Sequence, residues 1–297
     1  MSPAAPTPRT QPEGAELREL VPLRPQGPIE LVDRATHLLR IRFRDILGVS
    51  VVVQLTIWLL LAILLRDQWA GGLADNAAWF WTGLVPEPAG ALAAASDQLN
   101  ANGWLVALGL ALPSIGLTVT GCACGVLIRD WSRGLATRGT DALGQVARRA
   151  PQVLALWALV HLAEAVTVVG LVLGPVLLGI SAPLMMMTGD GPVATVRRSY
   201  RLCRRRLATA LPTVLTATAI ALVAGTLLAG LPVAVVAGLS SGWVDLGGTA
   251  VTALSAAAPR LVIDPVIGAS MALLAVDALV RVDAIDLERT LTEVRGG

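Results

Sequence analysis

The chain has 297 residues, of which 55% are hydrophobic and only 15% charged, with a mean hydropathy of +0.68. Ordinary soluble domains carry ~25% charge, so the two soluble domains that the length alone would admit are excluded. A net charge of +2 is too small for the whole chain to engage a polyanion. Every basic residue is arginine, with no lysine. Apolar runs of 18 or more residues read as membrane helices, since ~20 residues rising ~1.5 Å each cross a ~30 Å hydrocarbon core.

Residues 1–27 are rich in proline and acid and have no apolar core of a signal peptide. They are expected to be a disordered cytoplasmic tail. Residues 28–46, PIELVDRATHLLRIRFRDI, form an amphipathic helix with Pro28 in its first turn. Ile29, Leu31, Val32, Ala35, Leu38, Leu39, Phe43 and Ile46 fall on one half of the wheel. Glu30, Asp33, Arg34, His37, Arg40 and Arg44 fall on the other. Such a helix lies on a membrane surface and leads into the first span.

Six spans are expected, at about 46–65, 104–128, 152–169, 171–187, 208–231 and 260–278. The third and fourth divide one 36-residue apolar stretch, 152–187, that turns near Gly170 to Pro175. Between the first two, an outer loop over 66–103 carries Trp69, Trp79, Phe80 and Trp81, ring types that favour the headgroup layer. Gly121 and Gly125 in the second span make a GxxxG, expected to pack within the chain, with a homodimer face as the alternative. Orientation follows from arginine placement. With the N-terminus inside, segments 1–45, 129–151, 188–207 and 279–297 hold 7, 5, 6 and 3 arginines, which is 21 of the 23. Both termini are therefore expected in the cytoplasm, with 288–297 as a short C-terminal tail, in an inner or plasma membrane.

The densest charge is VRRSYRLCRRRL at 196–207. Arg197, Arg198, Arg201, Arg204 and Arg205 occupy about 120° of the wheel, and Val193, Val196, Tyr200, Cys203 and Leu207 about 80° on the other side. With Arg34, Arg40 and Arg44, they are the expected contacts for anionic lipid. No aromatic stacking platform accompanies them, so nucleic acid is not an expected partner. Segment 141–149 is a shorter version leading into the third span. The chain thus reads as three units of basic surface helix followed by membrane helices.

Three stretches carry a resemblance. PLRPQGPIELVDRATHLLRIRFRDIL at 22–47, DGPVATVRRSYRLCRRRL at 190–207 and AVDALVRVDAIDLER at 275–289 resemble, in order, the entry, middle and closing motifs of the membrane-domain family named after glycerophosphoryl diester phosphodiesterase. In the closing motif Asp277, Arg281, Asp283, Asp286 and Leu287 match. Ala275 stands where an aromatic is usual, and Leu279 and Val282 where arginines are. The resemblance implies a six-helix membrane module, in line with the all-α, N-in and C-in bundle expected from the residues. The phosphodiesterase barrel is not expected, since the chain has only His37 and His161, on different elements. The resemblance also suggests that Asp277 and Arg281 form an interfacial pair.

The remaining chemistry is sparse. His161 and Glu164 lie three apart on one face of the third span. Ionisable groups in a membrane are costly and face the bundle interior with a partner. The pair is either a midplane relay or a hydrogen-bonded structural element. Arg260 and Asp264 are four apart at the outer end of the sixth span, as a helix-end pair would be. Cys122, Cys124 and Cys203 form neither a disulfide framework nor a metal set. No cofactor motif, metal set or catalytic constellation is present. The expected function is a non-catalytic membrane scaffold or accessory protein contacting anionic lipids and a protein partner. The alternatives are a small transporter or lipid-handling protein using His161 and Glu164, and a membrane enzyme acting on lipid headgroups.

Overall fold

The computed structural model describes residues 21, 26–64, 88–166, 168–239 and 257–282, which are helical almost throughout, with no strand among them. In chain order the helices are α1 (Pro28–Ile41), α2 (Phe43–Leu64), α3 (Pro88–Ser132), α4 (Gly139–Arg148), α5 (Ala150–Val166), α6 (Val168–Leu178), α7 (Ser181–Thr188), α8 (Pro192–Arg205), α9 (Leu207–Leu239) and α10 (Ala257–Val282).

Four stretches are long and apolar enough to cross a bilayer: Phe43–Leu61, Ala111–Ser132, Leu207–Gly225 and Ala257–Val282. Their packing is that of a membrane-embedded protein, with small residues inward and large apolar ones outward. On α9 the buried stripe is Ala210, Thr213, Ala217, Ala221 and Gly225. Leu215, Ile220, Leu222, Val223 and Leu227 stand exposed on the same helix. On α2, Val52, Leu55, Leu59 and Leu60 are likewise exposed, whereas Ser50 and Gln54 are fully buried. Water would not tolerate such a surface; lipid does.

The expected third and fourth spans correspond to two shorter apolar stretches, Ala150–Ala165 and Leu173–Thr188. At ~16 residues each rises ~24 Å, less than the ~30 Å core. α5 and α6 fold back on each other as a hairpin. A Cβ on Gly174 of α6 would come 2.5 Å from Cγ of Glu164 on α5. Gly170, Gly174 and Pro175, expected in the turn, lie inside α6 instead. Gly174 serves close packing there, not chain reversal. The outer loop also differs from expectation. Residues 88–103 are helical and continuous with the second span, in keeping with their alanine content. Trp69, Trp79, Phe80 and Trp81 lie outside the described residues.

Three junctions share one geometry. α1 passes to α2 at Arg42, α4 to α5 at Arg149 and α8 to α9 at Arg206. Their backbone angles are φ −109, ψ 34; φ −108, ψ 18; and φ −123, ψ 30. Each arginine carbonyl accepts N–H bonds from the residues three and four ahead: Asp45 and Ile46, Gln152 and Val153, Thr209 and Ala210. One residue therefore closes the short amphipathic helix and opens the apolar helix after it. Spaced equally from these hinges, Ala35, Ala142 and Ser199 are all buried, as are Ile46, Val153 and Ala210. The three units inferred from the charge pattern are thus matched in backbone and burial. α1 and α8 also start alike, with extended Gly27 and Gly191 followed by Pro28 and Pro192 at the first helical position.

The core is built where α3 meets α7 and α10. A Cβ on Gly125 would lie 2.6 Å from Cα and O of Pro183, and one on Gly121 3.3 Å from Cβ of Ala182. Gly268 of α10 approaches Cα of Gly121 and Sγ of Cys124. The GxxxG face is therefore occupied within the chain. Arg129 fastens the C-terminal end of α3 to this contact, donating to Met186 O at 2.8 Å, Asp130 Oδ1 at 2.8 Å and Gln145 Oε1 at 3.0 Å. Gly189, left-handed at φ 77, ends α7.

Candidate functional site

α8 has three faces. Thr195, Ser199, Leu202 and Cys203 are buried against the protein. Ser199 donates to the Leu177 carbonyl at 2.9 Å, tying α8 to the hairpin. Of the apolar arc expected opposite the arginines, Val193, Tyr200 and Leu207 are exposed and Cys203 is buried. The three exposed residues form a neighbouring apolar stripe. Thr195 and Ser199 suit the protein-facing side because small hydroxyl side chains let helices approach closely and still satisfy their own hydrogen bonds. The third face is the arginine arc.

The arginines divide by partner. Arg198 is bonded to Asp190 at 3.1 Å and Arg34 pairs with Glu30 at 3.7 Å. Arg40 and Arg44 are exposed on the α1–α2 junction. Arg197, Arg201, Arg204 and Arg205 are exposed and make no ion pair among the described residues. These four line one side of a groove of about 1030 Å³. Its other side is apolar and comes from the hairpin: Ala163 of α5 and Leu173, Gly174, Leu177 and Leu178 of α6. Among the described residues no carboxylate lines it. Sequence periodicity placed the arginines together but gave no sign of the wall opposite them.

His161 and Glu164 lie on α5 as expected and are joined by a 2.8 Å hydrogen bond from Nδ1 to Oε2. Trp157 meets the His161 ring edge-on at 5.1 Å, and its indole N–H donates to Ser114 Oγ at 2.8 Å. The pair lies on a second cavity, of about 290 Å³, bounded by α3, the hairpin, α7, α9 and α10. Glu164 is the more enclosed partner; the His161 side chain is 41% exposed. Glu164 and Leu178 separate this cavity from the arginine groove. Leu178 lines both, and Glu164 lies against Gly174 of the groove.

Asp277 and Arg281 form the expected pair, with Arg281 Nε donating to Asp277 Oδ1 at 2.9 Å. They also hold a third group. The backbone N–H of Gln26 donates to the same oxygen at 2.9 Å, and Arg281 donates to Gln26 O at 3.0 Å. Gln26 and Val21 are buried, although they fall within the segment 1–27 expected to be a disordered tail. Asp283, Asp286 and the tail 288–297 lie outside the described residues.

A site the sequence analysis missed lies between α2 and α10. Asp264, fully buried, accepts hydrogen bonds from the Gln54 side-chain amide and, at 3.3 Å, from Arg260. Ser50 donates to the Arg260 carbonyl. Asp264 was expected only to pair along its own helix; it bridges to another. The available signal was Gln54, a lone amide in an apolar run.

The three cysteines are free and buried. Burial pushes the Cys203 thiol up to about 12, so it is neither nucleophile nor ligand near neutrality. Among the described residues no three His, Cys, Asp or Glu side chains are grouped to hold a metal. No family model, curated protein or solved structure matches the chain.

Proposed function

We propose that the chain is a non-catalytic membrane scaffold or accessory protein that docks on anionic lipid at the cytoplasmic leaflet and engages a protein partner. One observation carries the lipid part: four arginines face an apolar wall across a groove, and among the described residues neither an ion pair nor a lining acid neutralises them. Basic pockets at the cytoplasmic side of membrane helices hold lipid phosphates, with ~1 kcal/mol for each basic residue near a charged leaflet. Exposed Val193 and Leu207 beside the arginine arc suit immersion at the headgroup boundary. The ordered motifs at 22–47, 190–207 and 275–289 support membership of the glycerophosphoryl diester phosphodiesterase membrane-domain family.

In this reading six apolar segments enter an inner or plasma membrane, and both termini are cytoplasmic. The arginine distribution supports that orientation. The α5–α6 hairpin and α7 return the chain to the side it left, so the short arms do not alter the parity. A periplasm-active reporter fused after residue 85 should be active, and one fused after residue 140 silent; the reverse result rejects the orientation. For the lipid role, glutamine at Arg197, Arg201, Arg204 and Arg205 should strip anionic lipid from the purified protein. Undiminished lipid would refute it.

A second reading is a small lipid-handling protein or transporter, favoured by the His161–Glu164 pair on an internal cavity. It requires that His161→Ala and Glu164→Gln abolish function in protein that remains folded. Loss of fold or assembly in those variants supports the scaffold instead.

A further inference from the structure

We infer that the groove between α8 and the hairpin is a site for one phospholipid whose headgroup carries two phosphates. The inference rests on the anionic-lipid reading above and sharpens it.

The arginines form two sets. Arg197 and Arg201 are four apart, and Arg204 and Arg205 begin the next turn. Along the helix axis the centres of the two sets are about 8 Å apart. Each set offers a fork of N–H donors to one phosphate, and a short bridge between two phosphates spans that distance. Charge points the same way. Like charges four apart on a helix destabilise it by ~0.2–0.5 kcal/mol a pair, and both Arg197/Arg201 and Arg201/Arg205 are such pairs. No carboxylate among the described residues of the groove relieves them. One phosphate neutralises one set and leaves the other unsatisfied.

The opposite wall selects a lipid over a soluble polyphosphate or an acidic peptide. Leu173 and Leu177 present hydrocarbon on a hairpin of apolar helices, and acyl chains fit there without any polar group to satisfy. The groove, at about 1030 Å³, is also several times the volume of the inner cavity.

The test is a native mass-spectrometric titration of the full chain in detergent. The probes are a tetra-acyl diphosphatidylglycerol, a phosphatidylglycerol at matched phosphate, and a phosphatidylcholine. We expect the two-phosphate lipid to bind at least tenfold tighter than the one-phosphate lipid. Arg197→Gln with Arg201→Gln, or Arg204→Gln with Arg205→Gln, should each bring the two lipids to parity in protein with unchanged helical circular dichroism. Arg148→Gln, at an exposed arginine of α4 outside the groove, should preserve the preference. Equal affinity in the parent protein overturns the two-phosphate site while leaving the anionic-lipid reading standing. Binding no tighter than phosphatidylcholine removes both. Inorganic pyrophosphate or an acidic peptide displacing the lipid at equal concentration overturns the assignment to a lipid.

Discussion

Gln26 and Asp277, 251 positions apart, are joined by a 2.9 Å hydrogen bond from the Gln26 backbone N–H to Asp277 Oδ1. Arg281 closes the fork by binding both. The last membrane helix thereby holds the segment that enters α1. Hydrogen bonds to charged groups contribute ~1.5–3 kcal/mol, and a buried donor left without its partner costs more. Asp277→Ala should therefore destabilise the protein by about 3 kcal/mol. It should also open the chain at Val21 and Gln26, both buried, to protease before the rest. Limited proteolysis followed by N-terminal sequencing reads this directly. Cleavage at the parental rate would mean that the fork does not anchor the segment.

The contact between Gln54 and Asp264 predicts a different pattern, because both are fully buried between α2 and α10. Gln54→Leu removes a donor from a carboxylate that keeps only Arg260, at a cost of about 2 kcal/mol. Gln54→Glu places a second carboxyl beside the first and should be the worse variant. Thermal unfolding in one detergent ranks the three proteins. Gln54→Glu melting at or above Gln54→Leu would contradict the bridge.

Two glycines in helices should respond oppositely to alanine. At Gly125 a Cβ would meet the backbone of Pro183 at 2.6 Å, and backbone cannot swing away. Gly125→Ala should force α3 and α7 apart at a cost of ~1–3 kcal/mol. At exposed Gly144 a Cβ meets nothing within 4 Å. Gly144→Ala should stabilise α4 by ~0.5–1 kcal/mol. Melting temperatures moving in the same direction would count against the packing of α3 on α7.

Cys203 gives a prediction about reactivity. Its thiol is pushed from 9.0 to about 12 by burial. A raised thiol pKa means the neutral form persists across the ordinary range, and thiolate appears only as pH approaches 12. At pH 7.5 the folded protein thus holds about a thousandfold less thiolate there than a free cysteine does. Maleimide should label Cys203 only after denaturation, as peptide mapping will show. Prompt labelling of folded protein would place Cys203 on an open face.

What could be read from the sequence divides by the kind of signal. Amphipathic periods gave α1 and α8, because one turn of helix repeats the pattern whatever it packs against. Apolar length gave the four helices long enough to cross a bilayer. Which side of α8 faces the protein was not legible, since Thr195 and Ser199 look neutral on a hydrophobic scale yet make the closest approach. Gln26 was invisible for another reason: its backbone is the bound group, and no side-chain type announces that. His161 and Glu164 were found by charge in an apolar run. Gln54 was passed over because a neutral amide stands out less than an acid, although it is the more buried. The groove needed the hairpin and α8 side by side, a relationship between residues such as Leu173 and Arg201 that only the fold supplies.

The arginine hinges give the last prediction. Arg206 sets the rotation of α9 relative to α8, and with it which face of α9 enters the core. One alanine inserted between Arg206 and Leu207 turns all of α9 by about 100°. Ala210, Thr213, Ala217 and Ala221 would leave the interior, and bulky residues such as Leu215 and Leu222 would approach it. The small-residue contact cannot accept that volume; Ile263, for one, already lies against Gly225. The insertion should abolish folded protein, read as loss of the monodisperse peak in detergent chromatography. A control insertion of one alanine between Arg133 and Gly134, beyond the end of α3, should be tolerated. If both insertions fold equally well, the hinge does not fix the register of α9, and the matched burial at the three junctions has no structural consequence.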